Sequence, residues 1–210
     1  MISLKNIKIV NENKIKSKID ILIIGAFEGS GLNNALECLD DNDKKNVVLA
    51  CKTENFKGSK SEHLSVYGSG NVKRILLYGL GKLKRLTPDL LRSESSKIFN
   101  CANNRKLTGI SILASSFKLD KKTYLQAFTE GLFLASYSFR DYKTKSEKIN
   151  KIKNLEFIGN VDKEIVEKSK AISEGVCLSR DLGNHPANIV TPTYLAEKAK
   201  NIANANKNMK

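Results

Sequence analysis

The sequence predicts an α/β fold, a mixed sheet flanked by helices. Three observations predict it. Short apolar runs rich in β-branched residues end at glycines, as in IDILIIGAF (19–27) and VKRILLYGLG (72–81). Runs with apolar residues at helical spacing alternate with them, as in Leu125, Phe128, Leu132, Ala135 and Phe139. Strand, helix, strand in this order builds a layered fold on a largely buried sheet. The short spacing around residues 68–72 reads as a hairpin, which makes the sheet mixed and not purely parallel.

In chain order, 19–27 is the first strand. Leu32, Ala35, Leu36 and Leu39 follow at i, i+3, i+4 and i+7, one apolar face of a helix. NVVLACK (46–52) and HLSVYG (63–68) are the next strand candidates, and 72–81 has an apolar centre bounded by glycines. Thr87 with Pro88 opens a helix to about Asn103. GISILASSF (109–117) reads as a strand, and Thr123 with Gln126 as a capping box for the helix behind it. KTKSEKINKIK (143–153) reads as a surface loop, and LEFIG (155–159) as the last strand. Val161, Ile165, Ile172 and Val176 then stripe a helix to about Leu182. Pro186 forces His185 toward extended backbone, Thr191 and Pro192 cap a final helix, and the asparagine-rich 201–210 reads as frayed. No repeat is present.

A chain of 210 residues with 40% hydrophobic content fits one domain, or one domain and part of another. No apolar run approaches the ~20 residues that span a bilayer, and Ile19–Phe27 starts too late for a secretory signal. The expectation is a soluble, cytoplasmic protein. Cys38, Cys51, Cys101 and Cys177 are too sparse for a disulfide framework and read as buried free thiols. The formal charge of +14 invites a nucleic-acid reading. Against it, arginine fills only positions 74, 85, 92, 105, 140 and 180, and arginine is the better bidentate reader of phosphate and guanine. The lysine, asparagine and isoleucine excess matches A/T-rich codons, so nucleic acid is a possible partner and not the favoured one.

Two glycine turns and two residue pairs are the candidate sites. GAFEGSG (25–31) follows a strand and opens a helix, the setting of a phosphate cradle, yet it lacks the Gly-Lys-Ser/Thr of a P-loop. GLGK (79–82) has Leu83 where a hydroxyl would meet a metal. Both read as turns. Asp181 and His185 stand four apart without a serine or cysteine nucleophile placed beside them, and Gly183 and Pro186 argue against a continuous helix, so they read as a structural loop. His63 and His185, the two histidines, lack partners at zinc-ligand spacing. Asp40, Asp41 and Asp43 read as a surface cluster at a helix end. No catalytic, cofactor-binding or metal residue is expected in the chain.

RDLGNHPANIVTPTYLAEKA (180–199) resembles the leucyl (cytosol) aminopeptidase family, two-metal exopeptidases, through Arg180, Asp181, Leu182, Asn184, Pro186, Asn188, Thr191, Pro192, Leu195 and Ala196. LLYGLGK (76–82) and EGLFLASYSFRDYKTK (130–145) resemble it in the same order. The resemblance implies a macro-domain-like N-terminal domain at 1–160, a linker helix at 161–182 and the start of a truncated catalytic domain at 183–210. It implies that the complete enzyme releases N-terminal residues from peptides with two divalent cations (zinc, manganese or magnesium) and assembles as a hexamer. The family's ligand-bearing segments lie downstream of the match, so no residue here inherits a ligand role and the chain alone is expected to be inactive. Two other readings stay open: a stand-alone module binding nucleic acid or a protein partner, and a gene fragment without function.

Overall fold

The computed structural model describes residues 2–10, 15, 18–105, 107–142 and 152–205. Six strands form one sheet: β1 (Asn6–Val10), β2 (Leu22–Ala26), β3 (His63–Tyr67), β4 (Arg74–Gly79), β5 (Gly109–Leu113) and β6 (Asn154–Ile158). The helices are α1 (Asn33–Leu36), α2 (Asp41–Thr53), α3 (Pro88–Asn103), α4 (Lys122–Ala135), α5 (Lys163–Asn184) and α6 (Pro192–Ala205). The strand order is β1-β6-β5-β2-β4-β3, parallel except for β3, which pairs antiparallel with β4 through a hairpin joining Tyr67 to Arg74. The expected α/β fold with a mixed sheet is present.

Strand side chains alternate between the two faces. Ile21, Ile23, Leu76, Tyr78, Ile112 and Phe157 pack against α3, α4 and the start of α5. Leu22, Ile24, Ile75 and Leu77 point to the other face and meet Leu36, Leu39 and Val47. Both faces of β2 and β4 are therefore covered, which explains their unbroken apolar sequences. Over β6 and β5 the second face instead carries a polar cluster, where Glu156 accepts a hydrogen bond from Ser111 Oγ at 2.8 Å and pairs with Lys8 at 3.3 Å.

Several expectations need correction. Residues 46–52 lie within α2, not in a strand. The side chain of Asp40 caps that helix by accepting from Asp43 N at 2.8 Å, and the helix buries little beyond Asp43 and Val47. The 32–39 stripe forms a single turn, α1. The strand expected to 117 stops at Leu113 and tightens into a 3-10 turn, Ala114–Phe117. Thr123 and Gln126 form no capping box: α4 begins two residues earlier, after Lys121, with no side-chain cap, and Gln126 Nε2 donates to Glu130. The expected stop before Gly183 is not observed. Gly183 sits exposed in α5, where its missing side chain costs only about 1 kcal/mol. His185 is extended, as the following proline demands, and Thr191 Oγ1 caps α6 by accepting from Tyr194 N at 3.3 Å. The loop expectation at 143–153 falls largely outside the described residues, as do residues 206–210 of the stretch 201–210 read as frayed; residues 201–205 of that stretch are instead the helical end of α6.

Candidate functional site

The two glycine turns singled out in the sequence come together at the carboxyl ends of β2 and β4. Leu80 N donates to Ala26 O at 2.8 Å, Glu28 N to Gly81 O at 3.0 Å and Gly81 N to Gly58 O at 2.9 Å. Gly79 lets the backbones close up, because a Cβ there would lie 2.0 Å from the carbonyl oxygen of Ser59. Gly81 holds a φ of +72°, open to glycine at little cost. Between these loops and the start of α3 lies a cleft of about 510 Å³, walled by Glu28, Lys60, Lys82, Arg85 and Asp89 over Leu80 and Leu90. The cleft therefore holds charge over an apolar floor.

A second crevice is expected where the strand order reverses, between β2 and β5. The chain fills it with its own side chains. Gly25 N donates to Ser116 Oγ at 2.8 Å, and that hydroxyl donates onward to Leu113 O at 2.6 Å. A Cβ on Gly25 would stand 2.8 Å from Ser116 O, and Phe117 is wholly buried behind it.

One side of the cleft is braced by a group without a sequence signal. The Glu94 side chain on α3 is 0% exposed. Its carboxylate accepts from Tyr78 Oη at 2.7 Å, Ser61 Oγ at 2.7 Å and Lys97 Nζ at 2.9 Å, and Lys60 Nζ stands 4.0 Å away. The network fixes the 58–62 loop that carries Lys60.

Asp181 and His185 are neighbours with separate partners. Asp181 Oδ1 accepts from Tyr137 Oη at 2.7 Å, and that phenol accepts from Asn184 Nδ2 at 3.2 Å. Burial, then the bond to Asp181, pushes the Tyr137 phenol up. His185 Nδ1 meets Tyr142 Oη at 2.6 Å and Nε2 faces Asp141 at 3.7 Å, with the rings of Phe139 and Tyr194 around it. These contacts tie the end of α5 to the segment after α4; they place no nucleophile. His63 is exposed on β3, far along the chain from these residues. All four cysteines are free. Burial pushes the Cys38 thiol up to about 11 and raises Cys51 and Cys177, so these thiols stay protonated and poorly nucleophilic near neutral pH.

The acidic cluster is not all surface. Asp43 is 1% exposed, and its Oδ1 accepts from Ser69 N at 2.6 Å and Ser69 Oγ at 2.9 Å, pinning the β3–β4 hairpin to α2. Among the described residues no group of three or more His, Cys, Asp or Glu stands close enough to hold a metal. Asp43→Ala should cost about 1 kcal/mol, the ordinary net worth of a hydrogen bond, because the exposed Ser69 loses the buried acceptor that pins the hairpin to α2. The check is the urea midpoint: a fall with unchanged slope is expected, and Asp43→Asn, which keeps Oδ1, should recover much of it.

Residues 23–146 match the cytosol aminopeptidase family, N-terminal domain. The chain belongs to this family. It is 35% identical over 173 residues to the probable cytosol aminopeptidase of Clostridium perfringens, covering 77% of this chain and 34% of that protein. It is 30% identical over 204 residues to the cytosol aminopeptidase of Rickettsia prowazekii, covering 92% and 40%. A mutant of tomato leucine aminopeptidase superposes with a TM-score of 0.76 at 27% identity, over 96% of this chain and 42% of that one. The bottromycin maturation enzyme BotP, solved in complex with Mn, shares the fold at a TM-score of 0.66 and 17% identity. The chain thus spans between a third and two fifths of the length of these curated cytosol aminopeptidases. Within this cytosol aminopeptidase N-terminal portion, the three resembling segments are β4 with its turn, the end of α4 with the segment that receives Asp181 and His185, and the end of α5 with α6.

Proposed function

We propose that this chain is the assembly and substrate-access portion of a two-metal aminopeptidase that releases N-terminal residues from peptides. One observation supports this reading most. The tomato leucine aminopeptidase chain matches 96% of this chain with only 42% of its own length, which leaves most of such an enzyme outside residues 1–210. The side chains here have other work. Asp181, His185 and Asp43 are held by Tyr137, Tyr142 and Ser69, and no donor set among the described residues fits a pair of metal ions. No catalytic step is therefore assigned to these residues.

In this reading residues 1–160 are the N-terminal domain, 161–182, which take in most of α5, are the linker helix that the resemblance implies, and 183–210 open the catalytic domain. The complete enzyme takes zinc, manganese or magnesium, works in the cytoplasm and assembles as a hexamer. No helix among the described residues is long and apolar enough to cross a membrane. The scarcity of arginine, at six positions only, gives nucleic acid no specific support.

The test compares two species with a chromogenic leucyl substrate and added Mn²⁺ or Zn²⁺. One is the purified 23.3 kDa chain; the other is the native gene product, isolated from source cells and sized by intact mass. Expected are no metal-stimulated turnover by the short chain and chelator-sensitive turnover by a longer product. Chelator-sensitive turnover by the 23.3 kDa chain, or a native product of that mass, would overturn the reading.

A further inference from the structure

We propose that the cleft at the carboxyl ends of β2 and β4 binds a small multivalent anion. The cleft walled by Glu28, Lys60, Lys82 and Arg85 continues into a second hollow of about 700 Å³, which shares Glu28 and Lys82 with it and adds Lys84. Four cationic side chains thus line two adjoining hollows against two carboxylates. Asp89 is already held by Arg92. Among the described residues no carboxylate lies within ion-pair distance of Lys82, Lys84 or Arg85, whereas five lysines elsewhere are paired. Unneutralised cations therefore line these hollows, and a cleft with low-dielectric walls focuses their field.

The site is also pre-organised. Backbone hydrogen bonds tie the 25–31 loop to Leu80 and Gly81, and Gly81 to Gly58. Glu94 fixes Ser61 and so the loop bearing Lys60. A ligand would not have to order these walls, which lowers the cost of binding. Cations set at four chain positions match an anion with several charged oxygens, and Arg85 offers the fork that engages two of them at once. Phosphate and carboxylate head groups share this chemistry. The volume limits the ligand to a small molecule, and Leu80 and Leu90 accept a modest apolar body.

The experiment is calorimetric titration of the whole chain with potassium pyrophosphate and, separately, with potassium citrate, at ionic strength held constant with KCl. One-to-one saturable binding of at least one probe is expected. Lys82→Ala/Arg85→Ala should raise its dissociation constant by about tenfold or more. Lys45→Ala/Lys168→Ala removes the same charge from exposed positions outside the cleft and should leave it unchanged. Both pairs are exposed, so circular dichroism should show native folds. Preference for pyrophosphate assigns a phosphate head group, and preference for citrate a carboxylate one. No saturable binding of either probe, or equal weakening by both double variants, would overturn the proposal, the latter by tracing the effect to net charge.

Discussion

Glu94→Ala is expected to lower the unfolding free energy by about 3 kcal/mol, the range seen when one partner of a buried charged network is removed. The physical reason is what stays behind. Tyr78 is 2% exposed, and its hydroxyl loses its acceptor within a layer of leucines and phenylalanines. Ser61, held at a φ of +63°, loses the bond that stabilises its turn. Urea unfolding followed by far-UV circular dichroism measures the loss; a change below about 1 kcal/mol would mean the carboxylate behaves like a solvated surface ion. The same group makes stability depend on pH. Burial pushes the Glu94 carboxyl up, but the bonds from Lys97, Ser61 and Tyr78 together outweigh it and leave it below its ordinary value. A carboxyl lower in the folded state than in the unfolded one contributes stability above the unfolded value of about 4.3 and loses it as pH falls through the folded value. Wild type should therefore lose stability below about pH 4 more steeply than Glu94→Gln, which has no proton to take up there. Burial and the bond to Glu94 raise the Tyr78 phenol, so it remains a neutral donor throughout.

Gly131→Ala should be comparably damaging through sterics alone. A Cβ at 131 would lie 2.2 Å from the carbonyl oxygen of Arg92 and 2.0 Å from Ser95 Oγ. The hydroxyl could rotate; the carbonyl is helix backbone, and α3 and α4 would have to separate to clear it. Leu91 and Ile98 of α3 and Phe128 and Leu132 of α4 are all at 0% exposure, so separation opens packed core. We expect a loss of about 3 kcal/mol, at the upper end for overpacking, against a helix-propensity gain of about 1 kcal/mol. In a domain of this size the net loss should lower Tm by roughly 4–8 °C. Gly175→Ala on α5, where a Cβ meets nothing within 4 Å, is the control and should hold or raise Tm. A fall at Gly175 equal to that at Gly131 would refute the close-approach argument.

The legible part of the fold was the part with strong local signals. Thr87 and Pro88 start α3 at the predicted residue because cap and proline act locally. β2 and β4 announced themselves because both their faces are buried. β1 did not: it is an edge strand of five residues, NIKIV, paired on one side only. Val47, Val48 and Leu49 imitate a strand, yet only Val47 is buried, and the decisive Asp40 cap lies several residues upstream. The glycine turns were each visible as turns, but no local pattern says that 25–31 and 79–82 meet. Glu94 was invisible for the same reason: its partners come from β4 and from a loop more than thirty residues away.

The strand order also sets a timetable for synthesis. β1 is made first and pairs with β6, and the Asn6–Asn154 side-chain contact closes a separation of 148 residues. At roughly 5–20 residues per second, the first strand waits on the order of ten seconds for its neighbour to be made. β2, β4 and β5, with the helices between them, can pair before β6 exists. The nascent protein is thus expected to gain a core of three parallel strands first and to dock β1 only after β6 has been made. Until then the amino-terminal segment is a loose strand near the ribosome, open to chaperones and to pairing with the wrong edge.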